Sequence, residues 1–380
     1  MVSGAIRGTE FILEAAEANG ATRLALLDGA VELSAADARV SMQSGEQARI
    51  EPGQPPVKSP LLEVASLVQW TLYYPAVANP DDLQFTAEDR AVLASALVAY
   101  RSGDLLAAHA AASAAPPGGE NRDLFRAALD LAVGRVDSAE ARLAKATTNA
   151  AVARALREII TLVRGAGSTD ELPAAGQSAS ELLARSYTLQ TRFRLAEARD
   201  AVEHAVMLAP HFGFARTRLA ELEFSLEHRG EALASLDFAL RDAPRLAPAY
   251  ALRGFVLLEG NDPRAALTAF EQAIAIDSAL GNAWLGRGLA QLQLHERNEA
   301  LKSFQTAAAL EPRRAAMRSY LGKAFSAAGE RKLAEKDFRL AKELDPGDPT
   351  AWLYSALHQW QQNRPNVAVL FPFPVKDNAY

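Results

Sequence analysis

Apolar positions change their period along the chain. Between Ile6 and Ile50 they alternate with polar ones, as at Leu24 and Leu26 and again at Val31 and Leu33, the period of a strand with one buried face. Asn19-Gly20 and Asp28-Gly29 are hairpin-turn dipeptides, and Ser44-Gly45 marks a further return between ARVSM and QARIEP. These signals predict a small antiparallel meander over residues 1–58, with Asp28-Gly29 joining two paired strands. About fifty residues with one apolar face are too few to bury that face alone, so the sheet is expected to lack a partner.

After Ser59 the period becomes helical. Residues 59–85 read as a connecting helix and linker. Thr86 then opens TAEDRAVLASALVAY as an N-cap followed by an acidic first turn. Gly103, Ala108 and Ala115 recur in the same spacing as Gly134, Ala139 and Ala146, which predicts two irregular helical hairpins. A further helix over Ala151 to Val163 completes a segment at 86–165. GAGSTDELPAAGQSAS, rich in Gly, Ser and Pro, supplies a linker at 166–178.

Alanine then recurs every 34 residues, at Ala198, Ala232, Ala266, Ala300, Ala334 and Ala368. Ala205, Ala239, Ala273, Ala307 and Ala341 follow in step, and Pro210, Pro244, Pro312 and Pro346 close the units, with Ser278 in the gap. Large residues hold other fixed slots: Tyr250, Trp284 and Trp352 early in each unit, Phe270, Phe304 and Phe338 later. Small ones stand at Ala220, Gly254, Gly288, Gly322 and Ala356. Two antiparallel helices approach closely only where one side is small, and the rings fill the space beside that contact.

These residues resemble the tetratricopeptide repeat (TPR) over Ala179 to Pro346, placing five units at 179–348 and a truncated sixth with an irregular tail at 349–380. The resemblance implies a mainly α fold: a TPR α-solenoid, a right-handed superhelix of helical hairpins with a concave face, behind a small N-terminal antiparallel β-module. In that family the ninth residue of each unit points inward, here Tyr187, Glu221, Phe255, Leu289 and Lys323, and so does the fifth, here Leu183, Thr217, Ala251, Leu285 and Ser319. From these the candidate partner-binding groove is drawn as Tyr187, Glu221, Phe255, Leu285, Leu289 and Lys323. A helix or extended peptide with apolar anchors would centre on Phe255 and Leu289; packing of these two against the next repeat is the competing reading.

The opening strands resemble the closing half of a FecR domain at Arg7, Gly8, Thr9, Phe11, Gly20, Gly29, Val31, Gly45 and Ala48, and VQWTLYYPA looks like the segment joining such a domain to TPR repeats. This resemblance implies a bacterial envelope or periplasmic setting and a role in signalling or envelope assembly. A full FecR domain has earlier strands, and Pro372 and Pro374 interrupt the sixth unit, so the chain is expected to be a fragment of a longer protein. It carries neither the cytoplasmic segment nor the membrane helix of FecR sigma regulators. Two alternatives remain open: the recognition arm of a larger enzyme, and a cytoplasmic assembly or secretion adaptor.

Forty basic and forty-six acidic residues leave a net charge of −6, which argues against nucleic acid as a partner. Cysteine is absent, so neither disulfides nor thiolate metal sites exist. No apolar run reaches the roughly 20 residues of a membrane-spanning helix, and MVSGAIRGTEF lacks the features of a secretory signal. The six histidines, His109, His204, His211, His228, His295 and His358, show no metal-ligand spacing; no Walker loop or GxSxG elbow occurs. No enzyme, cofactor or metal is therefore expected. The basic cluster Arg313, Arg314, Arg318 and Lys323 is diluted by Glu330, Glu335 and Asp337, which reads as a solvated face.

Overall fold

The computed structural model describes residues 10–15, 22–28, 30–35, 38–43, 46–52, 54–60, 76–146, 151–164 and 177–361. The chain divides into two bodies, residues 1–63 with 291–380, and residues 64–290.

The N-terminal strands are β1 (Glu10–Ala15), β2 (Thr22–Asp28), β3 (Ala30–Ala35), β4 (Ala38–Gln43), β5 (Glu46–Ile50) and β6 (Val57–Pro60). They do not form one meander. β1, β2, β5 and β6 make a four-stranded antiparallel sheet in that order, while β3 and β4 pair only with each other. Asp28-Gly29 therefore does not join paired strands, because β2 takes β5 as its neighbour and the chain leaves the sheet after Asp28. The reason lies in the apolar face. Leu24, Leu26, Ala48 and Ile50 of the larger sheet and Val31, Leu33 and Met42 of the hairpin form a single buried cluster. The hairpin supplies the cover that one-sided alternation demanded, so the sheet does not lack a partner. β6, not anticipated in sequence, adds an edge strand that ends at Pro60, since edges and strand ends are where proline is tolerated in a sheet.

Residues 61–75 lie outside the described set, and 76–86 run as extended chain with one 3-10 turn, Pro80–Asp82. Thr86 is the expected N-cap of α1 (Ala87–Val92): its Oγ accepts from Asp89 N–H at 3.1 Å, while the Asp89 carboxylate accepts from Thr86 N–H at 2.9 Å. The helix breaks at Leu93, and α2 (Ala94–Ser102) pairs with α3 (Leu105–Ala114). α4 (Glu120–Ala132) pairs with α5 (Val136–Leu143), and α6 (Ala151–Val163) follows.

The repeat region is a run of helix pairs: α7 (Ala179–Thr191) with α8 (Leu195–Leu208), α9 (Gly213–Ser225) with α10 (Arg229–Asp242), and α11 (Ala247–Glu259) with α12 (Pro263–Ile276). α13 (Gly281–Gln293) and α14 (Arg297–Leu310) follow in the chain, α15 (Ala315–Ala327) pairs with α16 (Arg331–Leu344), and α17 (Pro349–Gln361) is the last described helix. Ala198, Ala232, Ala266, Ala300 and Ala334 are all fully buried, as the 34-residue register requires. Ala368, Pro372 and Pro374 lie outside the described residues.

Phe270 shows what the small positions are for. A Cβ on Gly254 would stand 2.6 Å from its ring, and one on Gly286, in the next repeat, 2.1 Å. Only glycine lets both backbones come that close. Phe338 and Gly322 repeat the arrangement at 2.8 Å.

Each helix pair turns on a left-handed residue, again at the 34-residue spacing: Phe193 (φ 59°), Glu227 (65°), Asn261 (60°), His295 (63°) and Gly329 (81°). Phe193 fits this conformation worst, and its side chain is 91% exposed, so packing returns nothing for the strain. Phe193→Gly is expected to stabilise the fold by about 1 kcal/mol. A rise in thermal midpoint, read by circular dichroism, checks it.

Candidate partner-binding face

The fifth and ninth residues of each first helix lie one turn apart on the same face. Of the fifth positions, Leu183, Ala251, Leu285 and Ser319 are buried, and Thr217 is half-buried. Leu285, drawn as part of the groove, is thus packed inside, 6% exposed. The ninth positions Tyr187, Glu221, Phe255, Leu289 and Lys323 are all half-buried. They present three different chemistries.

In the first two repeats, Tyr187 is roofed by Arg218, whose guanidinium carbon lies 4.0 Å from the ring centroid. Arg218 is 1% exposed. It donates to Ser186 Oγ (3.2 Å), to the Ser186 carbonyl (3.3 Å) and to Gln190, and pairs with Glu221 at 2.8 Å. Burial pushes the Tyr187 phenol up to about 12, so it stays protonated. Sequence reasoning missed Arg218: a lone arginine in mid-helix reads as solvated, and only the fold brings it over Tyr187.

In the third and fourth repeats the face is apolar. Phe255 packs edge-on against Phe270, centroids 5.0 Å apart at 74°. Phe255 and Leu289 both flank the buried set Leu258, Ala266, Phe270 and Ala290 while keeping part of their surface open. Packing and exposure therefore coexist at these two positions.

Lys323 belongs to the other body. It donates to Tyr354 Oη at 3.3 Å and lies 4.5 Å from the Tyr354 ring centroid and 5.9 Å from that of Tyr320. Burial is the main cause that raises the Tyr320 phenol to about 12. The neighbouring basic cluster is not a free positive patch, since Arg314 pairs with Glu311 at 3.0 Å and Arg318 with the buried Asp337 at 3.1 Å. Of the carboxylates expected to dilute it, Asp337 is bonded to Arg318 directly, and both are buried, so this part of the cluster is not the solvated face expected.

Four of the six histidines, His109, His211, His228 and His358, take partners within the fold. His109 meets the buried Asp130 at 2.8 Å, which Arg142 also holds at 2.7 Å. His358 meets Ser326 at 2.7 Å. Among the described residues no group of three or more His, Asp or Glu could hold a metal ion, and no helix is long and apolar enough to cross a membrane.

No family model matches the sequence, and no curated protein matches it. Solved structures do resemble the fold. A chain in the crystal structure of the APC/C hetero-tetramer Cut9-Hcn1 superposes with a TM-score of 0.60 at 16% identity, covering 79% of this chain and 64% of that one. The helical array is a TPR solenoid. A thermophilic TPR protein of Thermus thermophilus matches with a TM-score of 0.43 at 22% identity, over 51% of this chain and 100% of its own. Within the TPR array, the 34-residue register, the buried alanines and the left-handed turns coincide unit by unit.

Proposed function

We propose that the protein is a non-catalytic interaction scaffold whose TPR array takes a peptide or partner protein on its inward face. The observation that supports this reading is the open apolar pair Phe255 and Leu289, which stand on packed helices and keep part of their surface in solvent. A rigid platform with half-open apolar groups suits the apolar anchors of a helix or extended segment.

Selection of random peptides on the intact chain tests it. Peptides carrying apolar residues are expected to emerge, and Phe255→Glu with Leu289→Glu should weaken them at least about tenfold, the scale of a lost hot spot, without loss of helix. Peptides that bind both proteins equally would place the partner elsewhere.

The β-module carries the envelope part of the proposal. Phe11, Val31 and Ala48 of the FecR-like pattern fall in β1, β3 and β5, and Val31 and Ala48 are buried in the module's own core. Arg7, Gly8, Thr9, Gly20, Gly29 and Gly45 lie outside the described residues. On this reading the TPR array serves signalling or assembly in the bacterial envelope or periplasm.

A further inference from the structure

At the start of each of the first two TPR units the chain itself contacts the inward stripe, at Ser180 and at Phe214. Ser180 and Phe214 stand one turn before Leu183 and Thr217, on the same helix stripes. Upstream residues reach both. Asn79 N–H donates to Ser180 Oγ at 2.8 Å, and Ser180 donates from its N–H and its Oγ to Asp82 Oδ2 at 2.8 and 2.6 Å. Tyr100 of α2, 1% exposed, lays its ring 5.0 Å from that of Phe214 and donates its hydroxyl to the Ala78 carbonyl at 2.7 Å.

The tip of the α2–α3 hairpin then meets the connection between α10 and α11. Arg245 N–H donates to the Ser102 carbonyl at 2.7 Å, and its Nε donates to Asp104 Oδ2 at 2.7 Å. Between them Gly103, at φ +91°, lies so near Leu246 that an added Cβ would stand 2.6 Å from its backbone nitrogen and 2.7 Å from its Cα.

We propose that the strap Ala76–Phe85 and the α2–α3 hairpin form an intramolecular latch, a ligand held in cis that a partner must displace to reach the first two TPR units. What this means for partners rests on the proposed reading of the inward face; the latch itself does not. Its two ends differ in kind. The strap end is anchored in an aromatic core, where Phe85 and Tyr100 both pack edge-on against Phe125 at 5.9 and 5.5 Å. The tip is held by one backbone bond, one solvent-accessible ion pair and the close approach at Gly103. Opening therefore starts at the tip. With the latch closed, a partner's footprint begins at the third unit, where Phe255 stands.

Amide hydrogen exchange on the intact chain tests the latch without any partner, with the Arg245 amide as reporter. Gly103→Ala drives a methyl group into the Leu246 backbone. Gly134→Ala is the matched control, because Gly134 has a similar φ of +80° but nothing within 4 Å of an added Cβ. Exchange at Arg245 is expected to speed up at least about tenfold in Gly103→Ala and at most about twofold in Gly134→Ala. If Gly103→Ala unfolds the chain, Asp104→Arg reads the same amide, with about threefold faster exchange that Arg245→Glu restores. Equal exchange in Gly103→Ala and Gly134→Ala, or in wild type and Asp104→Arg, would overturn the proposal.

Discussion

Phe270→Ala is expected to cost about 3–5 kcal/mol, the range for deleting a fully buried aromatic ring from a packed core. The ring is 0% exposed and sits between two glycine backbones, so those two sides of the space it leaves stay unfilled. Neither Gly254 nor Gly286 has a side chain to rotate into the gap. The loss should also reach the inward face, because Phe255 would lose the edge-on contact that fixes its ring. Denaturant unfolding of the variant checks the first effect. A repeat array melts in segments, so the change is expected as an early transition of the middle units rather than a uniform shift. Binding of selected peptides, measured where the variant is still folded, checks the second.

Arg218→Ala is expected to destabilise by about 3 kcal/mol, since it strips Ser186, Gln190 and Glu221 of their shared donor and uncovers Tyr187. Arg218→Met should recover part of the loss. Its flexible chain can cover the tyrosine ring without bringing a buried charge, although the Ser186 carbonyl remains unsatisfied. Thermal denaturation of the two variants side by side separates lost packing from lost hydrogen bonding. Equal destabilisation would mean that the bonds carry the effect, and a nearly wild-type methionine variant that the roof over Tyr187 does.

The helical half of the molecule was legible in sequence because its constraints are local and repeated. An alanine every 34 residues states the helix-to-helix distance in every unit, and glycine, phenylalanine and a closing proline repeat it in most of them. The same holds for Thr86 and Asp89, whose capping box needs only four consecutive residues. Pairing partners in the β-module were not legible. Alternation at Leu24 and Leu26 and at Val31 and Leu33 says which side is apolar, and both pairs are indeed buried. It does not say whether two apolar sides lie next to each other in one sheet or face each other across two. Asp28-Gly29 favoured the first arrangement locally, and burial of the whole face decided for the second.

The candidate face shows the same division. Register placed Phe255, Leu289 and Lys323 along the first helices, but it could not indicate that Arg218 would roof Tyr187, that Leu285 would be enclosed, or that the Ala76–Asp104 stretch would reach Ser180, Phe214 and Arg245. Those contacts join residues far apart in sequence and belong to no repeating pattern.

The repeats look interchangeable in sequence, yet their seams are cut differently. Phe270 meets Gly286 across one seam, whereas Phe304, its counterpart one unit on, stacks on Tyr320, the residue that occupies the Gly286 position. Excising residues 281–314 as one whole unit would set Tyr320 where Phe270 needs a glycine. That one unit therefore cannot be removed without a new substitution at the joint.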